Sequence, residues 1–174
     1  MGYSTPTGAT PSAGTSLPAP VLQEVSGAAT TAITLDQTAK DLFIDGNLTT
    51  AGTLFLQIIL NGSTTASDYS QAQPGYYINA SGRTTITSPN STYLGYCYAG
   101  DQVRCHVHIP DYAAAGERRI ITCFQHMTDK AEYYQTFAFT GPITSAHISI
   151  RTAWDSFASE GNGTGWWRVR YGGG

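Results

Sequence analysis

The chain has 174 residues, only 12% of them charged, and a formal net charge of −3. This length suits one ordinary domain with at most a short extension. So weak a charge offers no basic surface for nucleic acid and no polybasic membrane patch, and no run approaches the roughly 18 apolar residues of a membrane-spanning helix. We therefore expect neither nucleic-acid binding nor membrane insertion.

Two further features of the sequence indicate the cellular compartment in which the protein folds. The start of the chain lacks the basic leader and apolar core of a secretory signal. Its cysteines, Cys97, Cys105 and Cys123, are odd in number and too few for a disulfide framework. Cys97 and Cys105 flank a predicted turn and could face each other across a hairpin. We nevertheless expect assembly in a cytoplasm, with these two cysteines as buried free thiols.

Residues 1–20 consist mostly of Thr, Ser, Gly, Ala and Pro and contain almost nothing to bury. A segment of this composition does not fold alone, so we predict an extended arm that becomes ordered only on a partner. The anchoring residues of this arm would be Tyr3, Pro6, Pro11, Leu17, Pro18 and Pro20. Residues 21–174 form the predicted domain.

The predicted centre of that domain is the stretch from Leu54 to Leu60, which reads LFLQIIL. Its apolar residues recur with a period of two, which is typical of a β-strand with one wholly apolar face. The following Asn61-Gly62 tolerates positive φ at both turn positions and predicts a tight reversal. Residues 62–75 are polar and long for a hairpin, so we expect a binding or interface loop there.

The rest of the chain reads as further short strands, about ten in all, separated by turn residues and showing no helical period. Residues 102–109 have the clearest alternation, with His106 and His108 on the outward side. One strand is expected to end at an Asp45-Gly46 turn, and residues 111–117 could hold a helical turn. This pattern predicts an all-β antiparallel sandwich of jelly-roll type with an extended N-terminal arm.

Few residues suggest a metal site or a catalytic site. His106 and His108 would lie on one face of a strand and could supply two metal ligands, although solvated histidines are the commoner arrangement. The acidic residues are scattered, mostly at expected turns such as Asp45 and Asp111, so no pair of carboxylates is predicted for acid and base catalysis. We expect no enzyme activity and no cofactor.

The C-terminal segment places flat aromatic rings beside planar guanidinium groups, a combination found in both sugar sites and protein interfaces. On a strand, Trp166, Arg168 and Arg170 would share one face, and Trp167 and Tyr171 the other. One face should enter the core, and the other should meet solvent, a ligand or a neighbour. The candidate interface or glycan contacts are Trp154, Trp166, Trp167, Arg168, Arg170, Tyr171, Tyr69 and Tyr76.

Three features together resemble the globular domains of bacteriophage virion proteins. They are the Pro/Thr/Ser-rich arm, the run LFLQIILNGSTTASDY from Leu54 to Tyr69, and the ending GTGWWRVRY from Gly163 to Tyr171. The likeness is to tail-fibre and receptor-binding heads and to capsid decoration proteins, and it covers about half of the domain. No fibre shaft or collagen-like repeat is present, which favours a short fibre, a collar piece or a decoration protein.

The resemblance implies a non-enzymatic virion structural protein, anchored to the particle by its N-terminal arm and assembled in the host cytoplasm. It implies a homotrimer whose partners are other virion proteins and, in adhesive heads, a host-surface glycan. The alternative is a free carbohydrate-binding module or lectin that uses the tryptophans and the tyrosines of residues 62–77. A hydrolase that uses Asp155 and Glu160 is a weaker alternative.

Overall fold

The computed structural model describes residues 16–27, 31–86, 93–128, 130–152 and 160–173. Within these ranges the chain forms twelve β-strands and one short 3-10 helix, Ala66–Asp68. The strands are β1 (Val21–Gly27), β2 (Ile33–Thr34), β3 (Asp41–Thr50), β4 (Leu54–Leu60), β5 (Tyr69–Asn79), β6 (Gly82–Ile86), β7 (Tyr93–Cys97), β8 (Gln102–Ile109), β9 (Glu117–His126), β10 (Glu132–Thr140), β11 (Ser145–Arg151) and β12 (Gly163–Gly172).

The strands form two antiparallel sheets. The large sheet has eight strands in the order β1-β12-β3-β8-β9-β10-β5-β6, and the small sheet has four in the order β2-β11-β4-β7. The pairs are nested, since β1 pairs with β12, β2 with β11, β3 with β8 and β4 with β7. This nesting is the strand order of a jelly roll. Two inserted hairpins, β5-β6 and β9-β10, widen the large sheet. The predicted antiparallel sandwich is confirmed.

The hydrophobic core lies between the two sheets and follows from the period-two alternation of the strands. In β3 and β8, inward residues such as Ile44 and Val107 are fully buried, while their neighbours are wholly or partly exposed. Phe124 of β9 crosses toward the small sheet, where an added Cβ at Gly95 of β7 would lie 2.2 Å from its ring. The two layers therefore touch through a glycine that leaves room for a ring.

Strand β4 confirms the predicted central strand. It lies between β11 and β7, and it ends at Asn61 and Gly62, whose φ angles are 52° and 68°. The amide of Ser63 donates to the carbonyl of Leu60 at 2.9 Å and closes the predicted tight turn. Both faces of β4 are covered, because Ile59 on the face away from the large sheet is also fully buried.

Strand β3 contradicts the predicted turn at Asp45-Gly46. The strand continues through both residues to Thr50, and each is paired on both sides. The glycine is present for packing, since an added Cβ at Gly46 would lie 2.6 Å from Sγ of Cys105 and 3.6 Å from Cβ of Trp167. In a dipeptide typical of turns, the glycine here leaves the space that the inward side chains of Cys105 and Trp167 occupy.

Three other expectations are corrected. The loop predicted over residues 62–75 is shorter, because β5 already begins at Tyr69. Cys97 and Cys105 do not share a hairpin, because β7 and β8 belong to different sheets, but both are buried free thiols as expected. Residues 111–117 form turns and the start of β9, with no helix. No helix in the described ranges is long and apolar enough to cross a membrane.

Candidate functional site

The face of the large sheet that points away from the small sheet carries its side chains in rows set by the strand register. One row crosses seven strands, and the next row runs beside it. The first row is Arg168, Asp45, His106, Cys123, Tyr134, Tyr76 and Thr85, and the second is Trp166, Asn47, Arg104, Gln125, Glu132, Ile78 and Arg83. We call this surface the outer face.

Asp45 of β3 is the electrostatic centre of the outer face. Its carboxylate accepts hydrogen bonds from Nε of Arg170 at 2.7 Å and Nε of Arg168 at 3.2 Å, and it contacts Nδ1 of His106 at 2.8 Å. The arginines come from β12 on one side of β3, and the histidine comes from β8 on the other. One carboxylate thus joins three strands and fixes the orientation of the side chains around it.

Aromatic rings pack beside the residues that Asp45 holds in place. Phe43 stacks on the ring of His108 with centroids 4.6 Å apart and an interplanar angle of 10°. The guanidinium of Arg170 lies 5.3 Å from the centre of the Phe43 ring, and that of Arg168 lies 5.5 Å from the centre of the Trp166 ring. Flat groups therefore lie against one another across three strands and restrict each other's rotamers.

A second aromatic group lies at the other end of the outer face. The rings of Tyr76 and Tyr134 are 5.2 Å apart, and the guanidinium of Arg83 lies 3.9 Å from the centre of the Tyr76 ring. The hydroxyl of Tyr134 donates to Glu132 at 2.5 Å, and Nε2 of Gln125 donates to the other oxygen of the same carboxylate at 2.8 Å. Glu132 organises this end of the outer face in the way that Asp45 organises the other.

Between these two groups lies a shallow, open depression of about 460 Å³. Gly46 lines it through its backbone, since a side chain there would point into the core, and the outward side chains around it form the rim. The polar and aromatic lining includes Asp45, Asn47, Arg104, His106, Gln125 and Trp166. It offers a ring, an amide and cations to a ligand that lies flat on the sheet.

The structure places six of the residues predicted from the sequence on the outer face, five of them around Asp45, and Tyr76 at the other end. They are Trp166, Arg168, Arg170, His106, His108 and Tyr76, which all belong to the outer face. Two candidate contacts are wrong for the folded chain. Trp167 is fully buried in the core, and Tyr69 is 4% exposed, with its hydroxyl bonded to Leu60 and Ser63. Neither can reach a ligand.

The remaining candidates lie elsewhere. Tyr171 is half-buried on the inner side of β12, and its hydroxyl accepts a hydrogen bond from the amide of Asp36 at 3.1 Å. Of the arm, Leu17 and Pro20 are exposed and Pro18 is partly buried. Tyr3, Pro6, Pro11 and Trp154 lie outside the described residues.

The sequence did not identify Asp45, Phe43, Asn47 and Arg104 as members of the site. A strand interpretation of residues 41–50 would have placed the first three on one face, because they are two residues apart. In the described part of the chain, no group of three or more His, Cys, Asp or Glu side chains is arranged so that it could hold a metal ion. His106 instead contacts Asp45.

The fold is an antiparallel β-sandwich, and the outer face of its large sheet carries the ordered polar and aromatic side chains described above. Comparison with known proteins adds no family, because no protein-family model matches the chain and no curated protein is significantly similar to it.

The pKa of Asp45 predicts a pH-dependent contribution to stability. Burial opposes ionisation of this carboxyl, but hydrogen bonds from Arg170, His106 and Arg168 outweigh burial and lower the pKa from 3.8 to about 2. Because the folded pKa lies below the unfolded one, the stabilisation is complete above pH 3.8 and is lost as the pH falls toward about 2. We expect Asp45→Asn to be less stable than the original chain at neutral pH and equally stable near pH 2.

Urea unfolding of both chains from pH 7 down to about pH 2 measures this difference. A gap in stability that stays constant over the whole range would show that Asp45 does not act through its charge.

Proposed function

We propose that this chain is a non-enzymatic structural protein of a bacteriophage particle, assembled in the host cytoplasm as a homotrimer. Residues 1–20 attach it to the particle, and the outer face is its contact surface. Its place is that of a capsid decoration protein, a head fibre or the head of a short tail fibre. The observation that carries the proposal is the ordered set of exposed and partly exposed arginine and aromatic side chains around Asp45.

The composition of the outer face supports a recognition role. Arginine, tryptophan and tyrosine are the residues that contribute most of the binding energy at protein contacts. Exposed aliphatic residues add to them, since Leu22 of β1 is 59% exposed and Ile121 of β9 is 44% exposed. Asp45 and Glu132 already hold the side chains around them in place. The outer face would therefore lose little side-chain entropy when a partner binds to it.

The architecture supports a permanent place in an assembly. With charges on only 12% of its residues, the chain presents little long-range repulsion to identical copies. An arm without residues to bury gains order only against another surface, which suits attachment to a particle. The large sheet has eight strands, so its outer face is wide enough to meet a neighbouring copy or the particle.

Native mass measurement and truncation test this proposal. The full chain should have the mass of a trimer, and particles produced with a chain shortened to residues 21–174 should lack the protein. The shortened chain should still unfold cooperatively, which excludes misfolding as the cause. A monomeric full chain, or normal incorporation without the arm, would overturn the proposal.

The depression on the outer face favours a second candidate, a free carbohydrate-binding module or lectin. Trp166 and Asn47 line it, and a ring beside an amide is a usual combination for holding a sugar. A lectin would keep its full glycan affinity after removal of residues 1–20. Glycan-array binding by residues 21–174, with no incorporation of the full chain into particles, would favour this candidate.

A further inference from the structure

Some polar side chains of the depression already form hydrogen bonds within the fold, and others do not. Asp45 is engaged by Arg168, Arg170 and His106, and Gln125 donates to Glu132. Arg104 is different. Its side chain is exposed, lines the depression, and forms no hydrogen bond or ion pair within the described part of the chain. Its five N–H donors are therefore available to a ligand.

The register sets the distance between Arg104 and the ring of Trp166. Trp166 is paired with Asn47, and Asn47 is paired with Arg104, so the three residues lie in one row across β12, β3 and β8. Two strand spacings separate the outer members, which is about 10 Å. A short oligosaccharide lying along the row would meet the indole at one end, the amide in the middle and the guanidinium at the other.

The charges around the depression favour an anion. The charged side chains that line the depression are Arg104, Arg168 and Asp45, and Asp45 also accepts a hydrogen bond from the nearby Arg170. The lining therefore has an excess of one positive charge, although the whole chain has a net charge of −3. Glu24 is paired directly with Trp166 at one end of the row, whereas Glu132 at the other end is separated from Arg104 by Gln125, which donates a hydrogen bond to it. An acidic group would therefore be placed at the Arg104 end.

We propose that the depression binds an acidic saccharide, with a sugar ring on Trp166, hydroxyl groups on Asn47 and a carboxylate on Arg104. An arginine can receive a carboxylate through two parallel hydrogen bonds, which a neutral sugar cannot reproduce. The inference rests on the proposed role of the outer face as a contact surface and names the chemistry of what it contacts.

Calorimetric titration of the full chain with tetragalacturonate and with its fully methyl-esterified, uncharged form tests this inference. The acidic form should bind about tenfold more tightly, which corresponds to one charged hydrogen-bonded pair. Arg104→Gln should remove that preference and leave the affinity for the ester unchanged. Trp166→Ala should weaken binding of both forms by a similar factor.

Arg119→Gln is the matched control. Arg119 is also exposed and lies on the same face of β9, six residues along the strand from Gln125, which is about 20 Å. The substitution removes the same positive charge as Arg104→Gln, so a long-range electrostatic effect on binding would appear equally in both variants. The inference requires Arg119→Gln to bind both saccharides as the original chain does.

Three outcomes would overturn the inference. They are equal affinity for the acidic and neutral forms, absence of binding to both, and competition by inorganic phosphate at the concentration of the saccharide, which would indicate a site for simple anions. The outcomes that refute the proposed function differ from those that refute this inference. A trimer that enters particles and does not bind the saccharide refutes only this inference, whereas a monomer that binds it refutes only the role in the particle.

Discussion

Replacing Trp167 by alanine should lower the free energy of unfolding by about 3–5 kcal/mol, the usual cost of removing a large aromatic side chain from a core. Trp167 is fully buried and is among the largest buried side chains of the described chain. It packs over Gly46, so its loss leaves a cavity beside a residue that has no side chain to fill it. Urea unfolding followed by circular dichroism measures the change.

The adjacent Trp166 is the matched control for this prediction. It is the same residue type on the same strand, but it lies on the outer face and is partly exposed. Trp166→Ala should therefore cost about 1 kcal/mol or less. A one-residue slip of β12 would exchange the two tryptophans between the faces. Equal losses, or a larger loss for Trp166, would contradict the observed register.

Replacing Gly165 by alanine should destabilise the chain by more than about 3 kcal/mol, for two separate reasons. Its φ angle is +134°, a conformation that residues with a Cβ rarely adopt. An added Cβ would also lie 2.2 Å from the carbonyl oxygen of Asn47. That oxygen belongs to the backbone of β3, so it cannot move aside as the end of a side chain could.

Gly52→Ala is the matched control. An alanine Cβ at Gly52 would have its nearest neighbour, a carbon of Leu54, at 4.0 Å, and Gly52 has no positive φ. Thermal unfolding should therefore give nearly equal midpoints for the original chain and Gly52→Ala, and a strongly lowered midpoint for Gly165→Ala. A tolerated alanine at Gly165 would show that β12 does not approach β3 as closely as described.

The parts of the fold that depend on local patterns could be predicted from the sequence. The alternation of residues 102–109 gave β8 with its faces correctly assigned, because burial on one side of a sheet imposes a period of two. The Asn61-Gly62 turn follows from the φ angles that these two residues tolerate. The sandwich class follows from many short strands without a helical period.

The candidate site was less predictable because it depends on strand register. Nothing local shows that Asp45 lies between Arg168 and His106, residues that are 123 and 61 positions away. The local signal was misleading, since Asp-Gly is typical of a turn. Sequence also could not decide which of the two adjacent tryptophans enters the core, because both faces of β12 carry aromatic residues.

The position of β12 has a consequence for how the protein is made. The last strand is inserted between β1 and β3, so residues 21–27 find their partners at residues 163–169. During synthesis β1 and β3 cannot complete their pairing until residues 163–172 have left the ribosome. Such long sequence separations slow folding and leave strand edges open to wrong pairing. A truncation that removes β12 should therefore yield aggregated chains in place of a smaller folded domain.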